Sequence, residues 1–447
     1  MSEPTAAAAP WLDKLGLHRP ELRAWALYDV ANSAWMTTIL LIFPLYFVNV
    51  AAAGMRADVA RSRFAFVTSL SVVLVGLMGP VLGTMADFRG NKKGYLGAFL
   101  ALGATATAAM YWITEGRWVL ALLTFVIGNV GVTSTLAFYN ALLPGIASAD
   151  EVDRVSTAGF ALGYLGGGLL MALNAVLIAH PELLGLPDKS TAIRLSFLSV
   201  AVWWGLFSIP LFLKVKEPKA RESAPTASTG ELLRLVVRRL AETIRDLRRH
   251  RDAGLLLLAF LLYNDGINTI IRMATTFGDE IGIPQTHMIG ALLVVQFVGI
   301  PFAFAFGLLA GSIGAKRAIL LALLVYSGIG VYGYTLRTSA QFFVLAFLVG
   351  TVQGGAQGLS RSLFATMIPA HKAGEMFGFF GVFDRFGGAL GSLLFGLMLS
   401  YTGSSRPAIL SLIVLFLVGG FFLTRVDVER GRRVARDETA AAPAVAS

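Results

Sequence analysis

The feature of this sequence that most constrains its fold is a series of long apolar stretches separated by short polar loops. A helix needs about 20 apolar residues to cross a bilayer, and the 447-residue chain has twelve such stretches, six on each side of a central polar stretch. We predict membrane-spanning helices over 24–52, 61–86, 94–114, 117–143, 155–179, 194–214, 253–277, 286–311, 317–336, 341–367, 374–402 and 406–425.

The composition fits a protein whose solvent is lipid. Only 14% of the residues are charged, against about 25% in soluble domains. The sequence therefore predicts an all-α integral membrane protein with twelve transmembrane helices in two pseudo-symmetric six-helix bundles. The predicted parts are an N-terminal segment (1–23), a first bundle (24–214), a linker (215–252), a second bundle (253–425) and a disordered tail (426–447). Residues 1–23 lack a signal-peptide pattern, which favours insertion through an uncleaved first helix.

The basic residues indicate the orientation of the chain. Most loop lysines and arginines fall on one side of the predicted topology, and the positive-inside rule makes that side cytoplasmic, with both termini. Arg56, Arg61 and Arg63 run against this distribution. The net charge of +10 follows the topology and does not indicate nucleic-acid binding. Residues 230–251 predict a basic amphipathic helix on anionic lipids; a solvated linker is the alternative interpretation.

Several kinds of chemistry are excluded or disfavoured by what the sequence holds. It contains no cysteine, which rules out disulfides and thiolate metal sites. The five histidines fall in loops or at predicted helix ends, which argues against an intramembrane metal centre. The glycine-rich segment 163–168 lies inside a span and has no preceding strand, so we interpret it as a helix-packing surface and not as a nucleotide loop. We therefore expect no enzymatic activity, no metal and no cofactor.

The two halves of the sequence repeat each other. GTMADFRGNKK (83–93) aligns without gaps with GLLAGSIGAKR (307–317) at an offset of 224. The pattern D-x-x-N-S/T occurs in the first span, at Asp29 and Asn32, and in the seventh, at Asp265 and Asn268. Such parallel repeats are typical of one large class of secondary transporters.

These segments carry a family resemblance. GTMADFRGNKK resembles the loop motif of the major facilitator superfamily, and WALYDVANSAW, YNDGINT and LSRSLFATMIP are similar to segments of its vacuole-effluxer-like branch, which includes fungal vacuolar amino-acid effluxers and bacterial relatives. The resemblance implies that Asp87 locks the closed cytoplasmic side and that Gly83 permits close helix approach. Gly311 stands where Asp87 would recur, so we expect this lock only in the first half. The residues assigned to gating or to the motif are Gly83, Asp87, Gly90, Lys92 and Arg361.

Polar and charged residues inside the predicted spans are the candidate binding groups, because an unpaired charge in hydrocarbon costs several kcal/mol. The candidates for substrate or proton binding are Asp29, Asn32, Asp265, Asn268, Gln353, Gln357, Asp384 and Arg385. They line a central cavity in one interpretation and hold helices together in the other. We expect Arg385 to meet Asp29 or Asp265 across the cavity, and we expect Arg361 to act as a gate or to snorkel to the cytoplasmic interface.

The function predicted from these features is secondary active transport of a small polar organic solute by alternating access. The resemblance favours an amino acid, and buried carboxylates favour proton coupling. Two alternatives remain open: a carrier of an amphiphile such as a lysolipid, and a non-transporting membrane sensor or scaffold. The expected partners are a small-molecule substrate, protons and the bilayer, with the protein monomeric in a bacterial inner membrane.

Overall fold

A computed structural model describes residues 10–217, 250–386 and 389–441, and all regular structure in these ranges is helical. A short helix, α1 (Pro10–Lys14), comes first. The helices up to residue 217 are α2 (Pro20–Ala51), α3 (Ala57–Arg89), α4 (Lys92–Trp112), α5 (Trp118–Ile146), α6 (Val152–Ala179) and α7 (Lys189–Lys214). The later helices are α8 (Arg251–Glu280), α9 (Gln285–Ile313), α10 (Ala315–Thr335), α11 (Ser339–Thr366), α12 (Ala373–Phe386), α13 (Ala389–Thr402), α14 (Ser405–Thr424) and α15 (Val428–Ala441).

The predicted all-α membrane fold is confirmed, but the count of twelve continuous spans is not reproduced helix for helix. Eleven helices of the described ranges, α2 to α11 and α14, are long and apolar enough to cross a bilayer. The span predicted at 374–402 is described as helix over Ala373–Phe386 and Ala389–Thr402, on either side of residues 387–388, which lie outside the described residues. We call α2 to α7 the N-half and α8 to α14 the C-half.

The glycine-rich segment of α6 packs against α2, as the sequence predicted. A Cβ atom added to Gly163 would lie 2.6 Å from the Ser33 hydroxyl oxygen, and one added to Gly167 would lie 3.1 Å from the Ser33 carbonyl oxygen. Thr37 on α2 donates to the carbonyl oxygen of Gly167 at 3.3 Å. Small residues thus bring the two backbones together and fix the face of α2 that carries Asp29.

The two copies of the repeated loop lie on one side of the molecule, which we call the motif side, and both halves end there. The Lys93 ammonium group donates to the Val215 carbonyl oxygen beyond α7 at 2.7 Å. Lys316 donates to the Val426 carbonyl oxygen beyond α14 at 2.8 Å. A lysine at a helix C-terminus donates to the free carbonyl groups, and its positive charge interacts favourably with the negative end of the helix dipole. In this role Lys316 is equivalent to Lys93, although the gapless alignment pairs it with Lys92.

The linker begins against the first copy of the loop. The Glu217 carboxylate accepts hydrogen bonds from the backbone N–H groups of Lys92 and Lys93, at the start of α4. Burial raises the pKa of the Glu217 carboxyl above its usual range, and the two N–H donors oppose that shift. The amphipathic helix predicted over 230–251 lies almost wholly in 218–249, outside the described residues.

The prediction of a disordered tail over 426–447 is wrong for Val428–Ala441, which form α15. Val426, Gly431 and Ala435 are buried against the motif side of the C-half. Gly431 and Ala435 are four residues apart, which places them on one face of α15, and Val426 lies just before the helix. The polar composition of the tail concealed this short apolar stripe from the sequence analysis.

Candidate functional site

The two halves are joined on the motif side by a buried ion pair. Asp29 on α2 and Arg361 on α11 are only 7% and 4% exposed. Both terminal nitrogen atoms of Arg361 lie 3.2 Å from Asp29 Oδ2. The Tyr139 hydroxyl donates to the same oxygen at 2.8 Å. A charge pair in a water-poor interior holds only with such additional hydrogen bonds, so this site is a specific link between the halves.

The remaining donors of Arg361 are also directed at the N-half. Its Nε donates to the Ser156 hydroxyl at 2.9 Å, and Nη2 donates to the Ser156 carbonyl oxygen at 2.7 Å. Nη1 lies 3.3 Å from the Asn140 side-chain oxygen. The guanidinium carbon lies 4.8 Å from the ring centre of Trp25 and 4.6 Å from that of Phe160. Arg361 therefore does not snorkel to the interface, and its role as a gate stays a prediction.

Asp87 makes a second link between the halves. Its carboxylate accepts from the backbone N–H groups of Gly374 and Glu375 at 2.9 and 2.8 Å, in the first turn of α12. Lys92 pairs with it at 2.8 Å. A carboxylate at a helix N-terminus satisfies free N–H groups and the positive end of the helix dipole.

The backbones of α3 and α12 are in direct contact beside Asp87. A Cβ on Gly83 would lie 2.6 Å from the Gly374 carbonyl carbon, and one on Gly79 would lie 3.3 Å from the Gly378 carbonyl oxygen. Gly90 ends α3 in a left-handed conformation with φ of 58°, which glycine adopts without strain. Gly311 stands at the position equivalent to Asp87. A Cβ added to Gly311 would meet no described atom within 4 Å.

A third link joins Asp153 on α6 to the Ser362 hydroxyl on α11, at 2.5 Å. We call these three links, through Asp29, Asp87 and Asp153, the motif-side closure. In each link the N-half supplies the carboxylate and the C-half supplies the donor. Sequence analysis missed Asp153 because it lies at the edge of a predicted span, where a charge is unremarkable. It also missed Tyr139 and Ser156, because uncharged polar residues are common in membrane helices and did not stand out as candidates.

The surroundings of Asp265 differ from those of Asp29, its equivalent in the sequence repeat. Asp265 is fully buried within the C-half, and its Oδ2 accepts from the backbone N–H of Gly391 on α13 at 2.6 Å. Asp29 faces the corresponding helix of the N-half, since a Cβ on Gly159 of α6 would collide with its carboxylate. Asp29 thus faces α6 and bonds to a side chain of the other half, whereas Asp265 bonds to a backbone N–H group of its own half.

Asp265→Asn is expected to lower stability because the charge-assisted bond to Gly391 is replaced by a weaker neutral one. The expected loss is about 1 to 2 kcal/mol in the free energy of unfolding, measured as a lower melting temperature in detergent. The exposed Asp279 near the end of the same helix is the control, and Asp279→Asn should leave the melting temperature unchanged. Equal melting temperatures for the two variants would contradict a stabilising role for the bond between Gly391 and Asp265.

A chain of hydrogen-bonded polar side chains, which we call the polar relay, links α8, α11 and α12 of the C-half. The Asn264 amide donates to Asp384 at 2.8 Å and accepts from the Gln357 side chain at 3.1 Å. Asn264 is fully buried, whereas Asp384 and Gln357 are partly exposed. Sequence analysis missed Asn264, although it directly precedes Asp265.

The sequence candidates Asn32, Asn268 and Gln353 make no hydrogen bond to this relay within the ranges that the structure describes. Asn268 and Gln353 are partly exposed, and the side-chain oxygen atoms of Asn32 and Gln353 have no hydrogen-bond partner among the described residues. Asn32 lies one turn from Asp29 on α2. The side chain of Arg385 lies outside the described part of the structure. Asp29 pairs with Arg361, and the expected contact of Arg385 with Asp29 or Asp265 stays a prediction.

Comparison with known proteins decides the family. Residues 50–436 match the family model described as vacuole effluxer Atg22 like. The chain belongs to this family. It is 34% identical over 93% of its length to an uncharacterized MFS-type transporter of Bacillus subtilis, YxiO, and covers 96% of that protein. It is 28% identical over 64% of its length to autophagy-related protein 22 of Yarrowia lipolytica, of which it spans about half, 52%.

Solved structures show the same fold for this Atg22-like chain. The human organic anion transporter MFSD10 matches with a TM-score of 0.70 over 91% of this chain and 99% of its own, at 16% identity. The proton:xylose symporter XylE matches with a TM-score of 0.67 over 93% and 95%, at 13% identity. The chain is therefore an MFS-type membrane transporter and not an enzyme.

Proposed function

We propose that this Atg22-like transporter moves a small zwitterionic solute, with an amino acid favoured, by proton-coupled alternating access. The observation that carries the proposal is the buried Asp29–Arg361 pair between the halves. When the halves separate on the motif side, this pair must break and leave two charges without their partner. A solute with one ammonium and one carboxylate group can pair with both charges, whereas a solute without charged groups cannot.

Proton coupling follows from the same pair. When the halves part, the Asp29 carboxylate loses Arg361, and a proton can neutralise it in place of the guanidinium group. Asp29 is favoured over Asp265 as the coupling residue because Asp29 bonds across the halves, whereas Asp265 bonds within one half. The partly exposed Asp384, held by Asn264, is the candidate contact for the solute ammonium group from the opposite side.

The cytoplasm is proposed to lie on the motif side, in a bacterial cytoplasmic membrane, with the protein acting as a monomer. This orientation rests on the positive-inside rule. The bacterial relative YxiO supports the choice of membrane.

Asp29→Asn is expected to abolish the accumulation of solute driven by an imposed pH gradient, while solute exchange without a gradient continues at a reduced rate because the buried Arg361 charge loses its ionised partner. Asparagine can still accept a hydrogen bond from Arg361, whose other acceptors on Ser156 and Asn140 remain, but it cannot bind a proton. The measurement is uptake of labelled solute into proteoliposomes with and without the gradient. Asp279→Asn, at an exposed carboxylate, is the control. Undiminished accumulation in the Asp29 variant would rule out the coupling role.

The solute itself is identified by a thermal-shift screen of purified protein against amino acids, peptides, sugars and lysolipids. We expect a rise in melting temperature with zwitterionic amino acids, because a ligand that binds only the folded state stabilises it. Stabilisation by lysolipids alone would favour an amphiphile carrier.

A further inference from the structure

The C-terminal helix α15 is anchored by an ion pair at its start. Arg430 donates to both carboxylate oxygens of Asp252, at 2.6 and 2.8 Å, and Asp252 also accepts from the backbone N–H of Asp427 at 2.9 Å. Asp252 lies in the first turn of α8 and is only 3% exposed. A bidentate arginine–carboxylate pair fixes orientation as well as distance, so the start of α15 is held against α8.

The rest of α15 reaches the end of α11 and the turn that follows it. Arg432 donates to the Thr366 hydroxyl at 3.3 Å, and a Cβ on Gly431 would lie 3.1 Å from the Met367 side chain. Glu438 pairs with Lys372 at 2.7 Å. His250 lies 3.1 Å from the same Glu438 side chain.

These contacts fall on the two segments of the C-half that supply donors to the motif-side closure. Thr366 ends α11, the helix that carries Arg361 and Ser362. Lys372 ends the short turn before α12, whose first N–H groups bind Asp87. α15 therefore contacts both segments at once.

We propose that α15 braces the motif-side closure and that Glu438 is a positioning residue acting through Lys372. With the brace in place, the turn before α12 is held where Gly374 and Glu375 meet Asp87. Without these contacts, the turn before α12 can move away from Asp87, and a smaller fraction of the molecules is closed on the motif side. This inference builds on the alternating-access part of the proposed function but does not depend on the identity of the solute.

The test measures the closure directly, with no substrate present. The native chain has no cysteine, so spin labels can be attached at cysteines replacing Arg89 in the N-half and Arg317 in the C-half, both exposed on the motif side. We expect Glu438→Gln to increase the population with long label distances about two- to fivefold, the size expected for loss of one partly exposed ion pair. The charge swap Glu438→Lys with Lys372→Glu should restore the native distribution.

The matched control is Asp437→Asn, which removes the same charge from the exposed neighbouring position of α15. It should leave the distances unchanged. The brace would be overturned if Glu438→Gln left the distance distribution unchanged, or if the swapped pair behaved like the single variant. Because the distances are recorded without solute, a native protein that shows both distance populations but no transport would count against the proposed function and not against the brace.

Discussion

Arg361→Gln is expected to shift the protein strongly away from the arrangement that is closed on the motif side. Glutamine cannot replace the two contacts to Asp29, so the closed state would retain a buried carboxylate with Tyr139 as its remaining described partner. Removing one member of a buried ion pair costs about 3 to 5 kcal/mol. The closed-to-open ratio should therefore fall by about 100-fold or more, and solute flux should fall with it.

The measurement uses the spin-label pair at positions 89 and 317, together with flux in proteoliposomes. Arg317→Gln, in a separate flux comparison, is the control, because Arg317 is an exposed arginine of the same half. The double variant Asp29→Asn with Arg361→Gln leaves neither charge buried and should recover much of the closed population, since replacing both partners costs less than stranding one. A closed population that Arg361→Gln leaves intact would show that this pair does not hold the halves together.

The parts of this fold that could be predicted from sequence are those that depend on one helix at a time. Apolar length places the spans, and the motif around Gly83 and Asp87 identifies the loop that contacts the other half. An aspartate within an apolar helix is costly, which singles out Asp29 and Asp265. Each of these inferences needs only the position of a residue along its own helix.

The partner of Asp29 could not be predicted because it depends on how two helices are rotated and shifted relative to each other. The sequence favoured Arg385, which is adjacent to another charge, and assigned Arg361 either to a gate or to the interface. In the structure the long Arg361 side chain runs inward from near the end of α11 and meets Asp29. The repeat misled in a related way, because it pairs Asp29 with Asp265 but does not reveal that Asp29 bonds across the halves whereas Asp265 bonds within one half.

Gly83→Ala is expected to prevent the motif side from closing fully. The added methyl group would lie 2.6 Å from the Gly374 carbonyl carbon and 3.0 Å from the Glu375 nitrogen, and neither backbone atom can move without shifting α12. The resulting displacement would also lengthen the bonds from Gly374 and Glu375 to Asp87. Overpacking of this kind costs about 1 to 3 kcal/mol, so the closed population and the flux should fall roughly 10- to 100-fold.

Gly311→Ala is the matched control, because it makes the same change in the equivalent loop of the C-half, where a Cβ meets no described atom within 4 Å. It should leave both the label distances and the flux unchanged. Equilibrium binding of the solute should survive in Gly83→Ala, because the substitution blocks one conformation and leaves the polar groups around Asn264 in place. If Gly83→Ala closed and transported normally, helix contact at this glycine would not limit the transport cycle. A loss of binding with normal closure would instead place Gly83 close to the solute, which its position beside Gly374 does not predict.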